Sequence, residues 1–196
     1  MTAIKLPQPE IKKGKSVEEC FRNRRSIREY KNTPLSLKEI SQILWAADGK
    51  NIEDYGRTSP SAGATYPIEI YIACGNVSDI SSGVYHYNIG THSLTLIKQG
   101  DIRSSLSESA LNQIMVLKAP ATIIIAGVFE KTTSRYGERG KRYVFMEAGH
   151  CGQNIHLQAE SLGLGTVMVG AFNDASVRKV LAIKEDVFYL CPVGEK

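Results

Sequence analysis

The sequence predicts an α+β domain, and two observations carry that prediction. Residues 139–173 read as one long helix that delivers a short strand ending in glycine. Around that unit, short β-type runs alternate with helical stretches opened by capping boxes. Val144, Ala148, Cys151, Ile155, Ala159 and Leu162 recur at spacings of three and four, which puts them on one helical stripe. Phe145, Gly149 and Gly152 share the neighbouring face, which therefore lacks bulk and lets another backbone lie close. Gly163 and Gly165 break the helix, and Thr166 to Val169 reads as a short buried strand. At Gly170 a bare backbone N–H can meet a flat ligand with no Cβ in the way.

The 196 residues suit one domain over 1–196, with residues 1–15 as an extended arm because Pro7 and Pro9 rule out a helix there. With 42% hydrophobic and 22% charged residues, the composition is that of an ordinary globular protein. There is no apolar run of about 18 residues to span a membrane, and the first residues lack the apolar core of a secretion signal. Cys20, Cys74, Cys151 and Cys191 are far apart and form no CxxC pair, which points to buried thiols in a reduced, cytoplasmic protein. The net charge of +4 suits an anionic small ligand better than a nucleic acid, because the basic residues are not interleaved with aromatics. An RNA- or membrane-binding module also lacks its stacking platforms and its amphipathic basic helix.

In chain order, Ser16 to Glu19 is a capping box that opens a short helix through about Arg22. Arg24, Arg25, Ser26 and Arg28 follow, and three guanidiniums beside a hydroxyl make either a phosphate grip or a solvated basic turn. A second capping box, Ser36 to Glu39, opens an amphipathic helix to about Asp48, ended by Gly49, with Asn51 in the loop beyond. Residues 57–67 are small and polar, punctuated by Pro60 and Pro67, with no apolar stripe for their own core. They read as a connecting loop or as a place where backbone amides approach a ligand. Strands are expected over 68–73, 83–87 and 93–98, the last two as a hairpin, with the tyrosines of Tyr85-His86-Tyr87 sharing one face. A helix from about Asp101 leads to Asn112 and Gln113, then a strand buried on both faces runs over 121–129. Residues 131–138 read as a polar loop before the long helix. Asn173 or Asp174 caps a short helix to about Leu181, and 187–193 is a last strand.

Several chemistries lack their parts. His150 and His156 do not share a helical face, and no His or Cys stands at zinc-ligand spacing, so no metal site is expected. His150 and Cys151, as helix neighbours, point roughly 100° apart and make no nucleophile pair. No GxGxxG or GxxxxGK[ST] motif is present. What remains is an arginine cluster, a Pro-Ser loop and a strand ending in glycine.

Together, RRSIREY, SPSAGATYPIEIYI and EAGHCGQNIHLQAESLGLGTVMVGAFND resemble the nitroreductase family of flavoproteins over roughly residues 16–194. The resemblance leans toward the branch that includes azoline oxidases acting on thiazole- and oxazole-containing peptides. It implies a mixed, mainly antiparallel sheet flanked by helices, built as a homodimer with two shared FMN sites. Arg24, Arg25, Ser26 and Arg28 would hold the phosphate and ribityl side, and an arginine would reach the N1/O2 edge, where reduced flavin is negative. Pro60, Ser61 and Ala62 match a loop that reaches the ring from the other subunit. Met168, Val169 and Gly170 match the strand end facing the ring, with the Gly170 N–H as donor to N5. Asn112 or Gln113 falls where the family places a polar group on the pyrimidine edge.

The family's C-terminal basic pair is reduced to Lys196, which would leave more of the phosphate to the arginines. The usual Asn and Gln of the Pro-Ser loop are Ala64 and Tyr66, a feature of the branch. The implied activity is ping-pong hydride transfer at flavin N5, from NAD(P)H to an electron-poor small molecule such as a nitroaromatic or quinone. No side chain need act as acid or base. The alternatives are azoline-to-azole peptide oxidation, fragmentation of the flavin itself, and a flavin-binding sensor without turnover.

Overall fold

The computed structural model of the chain describes residues 3–11, 14–51 and 56–196. Positions 1, 2, 12 and 13 of the expected N-terminal arm lie outside the described residues. In chain order the elements are β1 (Ile4–Lys5), α1 (Val17–Asn23), α2 (Leu37–Asp48), β2 (Ile68–Cys74), β3 (Gly83–Asn88), β4 (Ser93–Gln99), α3 (Arg103–Ser109), α4 (Ile114–Lys118), β5 (Ala121–Gly127), α5 (Glu130–Tyr136), α6 (Arg139–Ser161), β6 (Leu164–Thr166), α7 (Asp174–Leu181) and β7 (Asp186–Glu195). The strands form one sheet in the order β1-β4-β3-β2-β5-β7-β6, and every ladder among them is antiparallel.

Both capping boxes form as the sequence requires. Ser16 and Ser36 each accept the backbone N–H of the glutamate three residues on, whose carboxylate reaches back to the cap. The alternation of β5 sorts its side chains. Ile123 and Ile125 meet Ile43 and Leu44 of α2 and Val144 and Cys151 of α6, while Ile124 and Ala126 meet Leu106, Val116 and Val177 on the other face. A sheet covered on both faces explains why β5 carries no polar residue but Thr122. Burial of each such isoleucine stabilises by about 1.5–3 kcal/mol.

Four expectations change. Residues 130–136 are helical, not a loop; α5 carries no apolar stripe and packs its backbone at Thr132 and Thr133 close to Gly140 of α6, where a Cβ would lie 2.9 Å from the Thr133 Cα. The helix expected from Asp101 ends at Ser109, and after Leu111 and Asn112, which both hold a left-handed φ of 58°, a second, unexpected helix, α4, precedes the strand. The strand after α6 is Leu164–Thr166, set by its pairing with Val193 to Glu195; Val169 joins the sheet only by an isolated bridge to Leu190. The bare helix face is half filled by the chain itself. A Cβ at Gly152 would stand 2.6 Å from the Met168 Cε, whereas one at Gly149 would meet nothing within 4 Å.

Candidate functional site

The arginine cluster is built onto the sheet edge. Arg24 caps α1, its N–H donating to the Cys20 carbonyl at 2.8 Å. Ser26 then bridges Thr166 in parallel, and the Ile27 N–H donates to the Thr166 carbonyl at 2.9 Å. Glycine at 165 permits this approach, because a Cβ there would lie 2.7 Å from the Ile27 Cβ. Arg25, Ser26 and Arg28 are exposed and Arg24 is half-buried. None of the four side chains makes a hydrogen bond or ion pair among the described residues. Beside them the buried Thr166 Oγ1 is also without a hydrogen-bond partner. Three uncompensated guanidiniums and spare hydroxyls are the donor set a phosphate monoester requires, so the residues fit the phosphate end of FMN.

Lys196 is held elsewhere. Its Nζ donates to Oε2 of Glu160, while Lys15 Nζ donates to Oε1 at 2.6 Å. Burial alone would raise the Glu160 pKa, but the two ammonium hydrogen bonds outweigh it and hold the carboxyl below its ordinary range. One turn earlier on α6, burial and the charge of Arg24 push the His156 pKa down.

The segment that follows Thr166 carries Met168, Val169 and Gly170. Met168 turns inward over Gly152, and Val169 exchanges both backbone hydrogen bonds with Leu190 at 2.9 Å. Gly170 is exposed; a Cβ there would lie 3.6 Å from Tyr189, an ordinary contact. The chain's own packing therefore does not demand glycine at 170. Gln113 lies close by but is committed, since its Nε2 donates to the Ala110 carbonyl at 2.9 Å and to the Ala171 carbonyl at 2.8 Å. Asn112 is the exposed one of the pair.

The Pro-Ser loop has no apolar anchor but is densely hydrogen-bonded to its own chain. Ser59 Oγ donates to the Ala47 carbonyl at 2.7 Å and accepts from Asn154 Nδ2 at 3.0 Å. Ala62 to Ala64 make a 3₁₀ turn, with Ser61 Oγ accepting the Tyr66 N–H at 2.9 Å. Arg135 Nη1 donates to the Gly63 carbonyl at 2.9 Å. Pro60 is exposed, while Ser61 and Ala62 are half-buried. Arg57 pairs with buried Asp48 at 2.6 Å and stacks on Tyr66, 4.5 Å from the ring centroid. Burial drives the Asp48 pKa up to about 7 against the pull of Arg57, with the Glu147 charge pushing the same way as burial.

The structure thus joins Arg24–Arg28 to the strand leading to Gly170 and sets Lys196 on Glu160. The Pro-Ser loop stays fastened to α6, and no hydrogen bond links it to the other two parts among the described residues. Sequence reasoning missed Glu147, Glu160 and the Asp48–Arg57 pair. Among the described residues no three His, Cys, Asp or Glu side chains converge to hold a metal ion. No described helix is long and apolar enough to cross a membrane.

Residues 21–195 match the model of the nitroreductase family, and the chain belongs to that family. The Methanocaldococcus jannaschii protein MJ1384, described as a nitroreductase, is 47% identical over 193 residues, covering 98% of this chain and 97% of that one. The Escherichia coli microcin B17-processing protein McbC is 28% identical over 157 residues, covering 77% of this chain and 58% of McbC. Among solved structures, a Ralstonia eutropha protein described as a nitroreductase superposes with a TM-score of 0.85 at 27% identity, covering 98% of this chain and 89% of that one. A Desulfovibrio desulfuricans protein solved in complex with FMN shares the fold with a TM-score of 0.68 at 19% identity, over 92% and 86% of the two chains.

Proposed function

We propose that the chain is an FMN-dependent NAD(P)H oxidoreductase that reduces an electron-poor small molecule, as a homodimer with two shared sites. The observation that carries this reading is the arginine cluster: three guanidiniums without carboxylate partners among the described residues, on a segment whose Ile27 amide is bonded to Thr166, four residues before Gly170. When bound, FMN would supply the redox chemistry of a ping-pong hydride transfer from NAD(P)H to the acceptor at N5. Arg24, Arg25, Ser26 and Arg28 hold the phosphate and favour negative charge on the pyrimidine side. Gly170 would leave room for the ring and offer its N–H to N5, and Asn112 would be the polar group free to turn to the ring edge. Pro60, Ser61 and Ala62 cover the ring of the other subunit. Lys196 reaches the phosphate only by leaving Glu160, so the arginines carry most of that grip. The four free, buried cysteines suit a reducing compartment.

The test is spectroscopic. The purified protein is expected to be yellow, with about one FMN per chain, and anaerobic NADH or NADPH should bleach the flavin. A nitroaromatic or quinone should then restore the colour. A colourless protein that takes up no added FMN overturns the reading, and a bound flavin that neither nucleotide reduces points to a sensor. The likeness to McbC supports a second reading, oxidation of azoline rings in a peptide. Formation of an azole from an azoline peptide by the oxidised protein would favour it.

A further inference from the structure

Glu147 lies in the middle of α6 and is 4% exposed. Its Oε1 accepts the Ala62 N–H at 2.9 Å. No cation pairs with it among the described residues, and the Arg57 guanidinium is paired with Asp48. A carboxylate buried without a cation is costly, and a helix core has little use for one. Its one hydrogen bond crosses from α6 to the first residue of the 3₁₀ turn in the Pro-Ser loop.

We propose that Glu147 is a positioning residue that locks the Pro-Ser loop in its ring-facing conformation, an inference that rests on the flavin reading above. The hydrogen bonds of the turn explain how. The Ala64 N–H is given to the Ser61 carbonyl, the Thr65 N–H to the Ala62 carbonyl and the Tyr66 N–H to Ser61 Oγ. The turn is tied to α5 through Arg135, which donates to the Gly63 carbonyl, and through the Thr65–Thr132 hydroxyl pair at 2.8 Å, and the Ala62 N–H is the bond that orients it against the long helix. With its oxygen accepting from Tyr66, the Ser61 hydroxyl keeps its own proton to donate outward. The Ala62 N–H, spent on Glu147, is not a flavin donor. Its role is to aim the residue before it.

Three variants of the full chain test this: Glu147→Ala, Glu147→Gln and Ala62→Pro. Glutamine keeps an acceptor oxygen without the charge. Proline deletes only the donor; Ala62 opens the turn, and Ser61, with φ −130° and ψ 135°, already has the extended backbone that a following proline requires. Amide exchange over residues 59–66 in the flavin-free protein should be roughly tenfold to a hundredfold faster in Glu147→Ala and Ala62→Pro, as expected for leaving the buried partner of a hydrogen bond unsatisfied. In Glu147→Gln it should stay close to wild type. With FMN added, the two loosened variants should show altered visible circular dichroism and fluorescence of the flavin, and glutamine should restore both. Wild-type exchange in folded Glu147→Ala overturns the proposal, as does wild-type exchange in Ala62→Pro should Glu147→Ala fail to fold. If exchange responds as expected but no variant, nor the wild type, binds FMN, the flavin reading falls and the anchoring of the loop by Glu147 stands.

Discussion

The Ile27 amide donates to the Thr166 carbonyl at 2.9 Å, and that bond fixes the arginine cluster to the end of β6, four residues before Gly170. A phosphate grip and a ring-facing strand end so joined keep one spacing between them. Arg24→Ala or Arg28→Ala should therefore weaken FMN binding without unfolding the protein. At about 1.5–3 kcal/mol for a hydrogen bond to a charged group, the loss should be roughly tenfold to a hundredfold. Fluorescence titration with FMN measures it, and unchanged affinity in both variants would remove these residues from the site.

Gly165→Val should damage the same junction by crowding. Its Cβ would begin 2.7 Å from that of Ile27, inside a buried strand that cannot yield like a loop. Overpacking of this kind costs about 1–3 kcal/mol, read as a lower urea midpoint. Gly90→Ala, where a Cβ meets nothing within 4 Å, is the matched control and should be close to neutral.

Asp48 gives the stability a pH signature. Its pKa is about 7 in the folded chain against an ordinary 3.8, so the fold binds its proton more tightly than the unfolded chain does. The resulting stabilisation is complete below pH 3.8 and is lost as pH rises to about 7. Asp48→Asn cannot titrate there. The wild type should lose stability relative to Asp48→Asn between those pH values, by about 1.4 kcal/mol for every tenfold difference in proton affinity between the folded and unfolded chain. Above pH 8 the difference should be flat. Urea denaturation of both proteins across pH 4–8 decides it, and a constant difference would show that Asp48 is already ionised throughout.

Shared sites predict complementation between subunits. Arg24→Ala disables the grip, and Ser61→Trp should block the ring face from the partner side. Each homodimer should be inactive. In the mixed dimer both lesions fall in one site and leave the other intact, so doubly tagged dimers should regain about half the wild-type activity, given two sites per dimer. Mixed dimers as inactive as either parent would place the Pro-Ser loop outside a shared site.

The parts of this fold that are local could be read from the sequence. Ser16 and Ser36 announce their helices through glutamates three residues on, and β2 and β5 declare themselves by length and branching. What depended on distant partners could not. β6 begins at Leu164 because Glu195 is opposite it, and α5 is helical although its run Glu-Lys-Thr-Thr-Ser-Arg-Tyr carries no apolar stripe. In the candidate site the arginine cluster was evident from charge density, but the capture of Lys196 by Glu160 joins positions far apart in the chain. Glu147 left one trace: it falls three residues after Val144 and four before Cys151, within the stripe that the helix buries.

The long helix also acts as a gauge. Glu160 near one end holds Lys15 and Lys196, and Glu147, about thirteen residues earlier, holds the Pro-Ser loop. A helix of that length is ~20 Å of rigid rod at 1.5 Å per residue. Adding or deleting one residue between the two glutamates would turn one anchor about 100° away from its mate. The loop tip at Gly90, where an added Cβ would meet nothing within 4 Å, carries no such constraint. Variation in chain length is therefore expected to collect in the connecting loops and to spare the interval from 147 to 160.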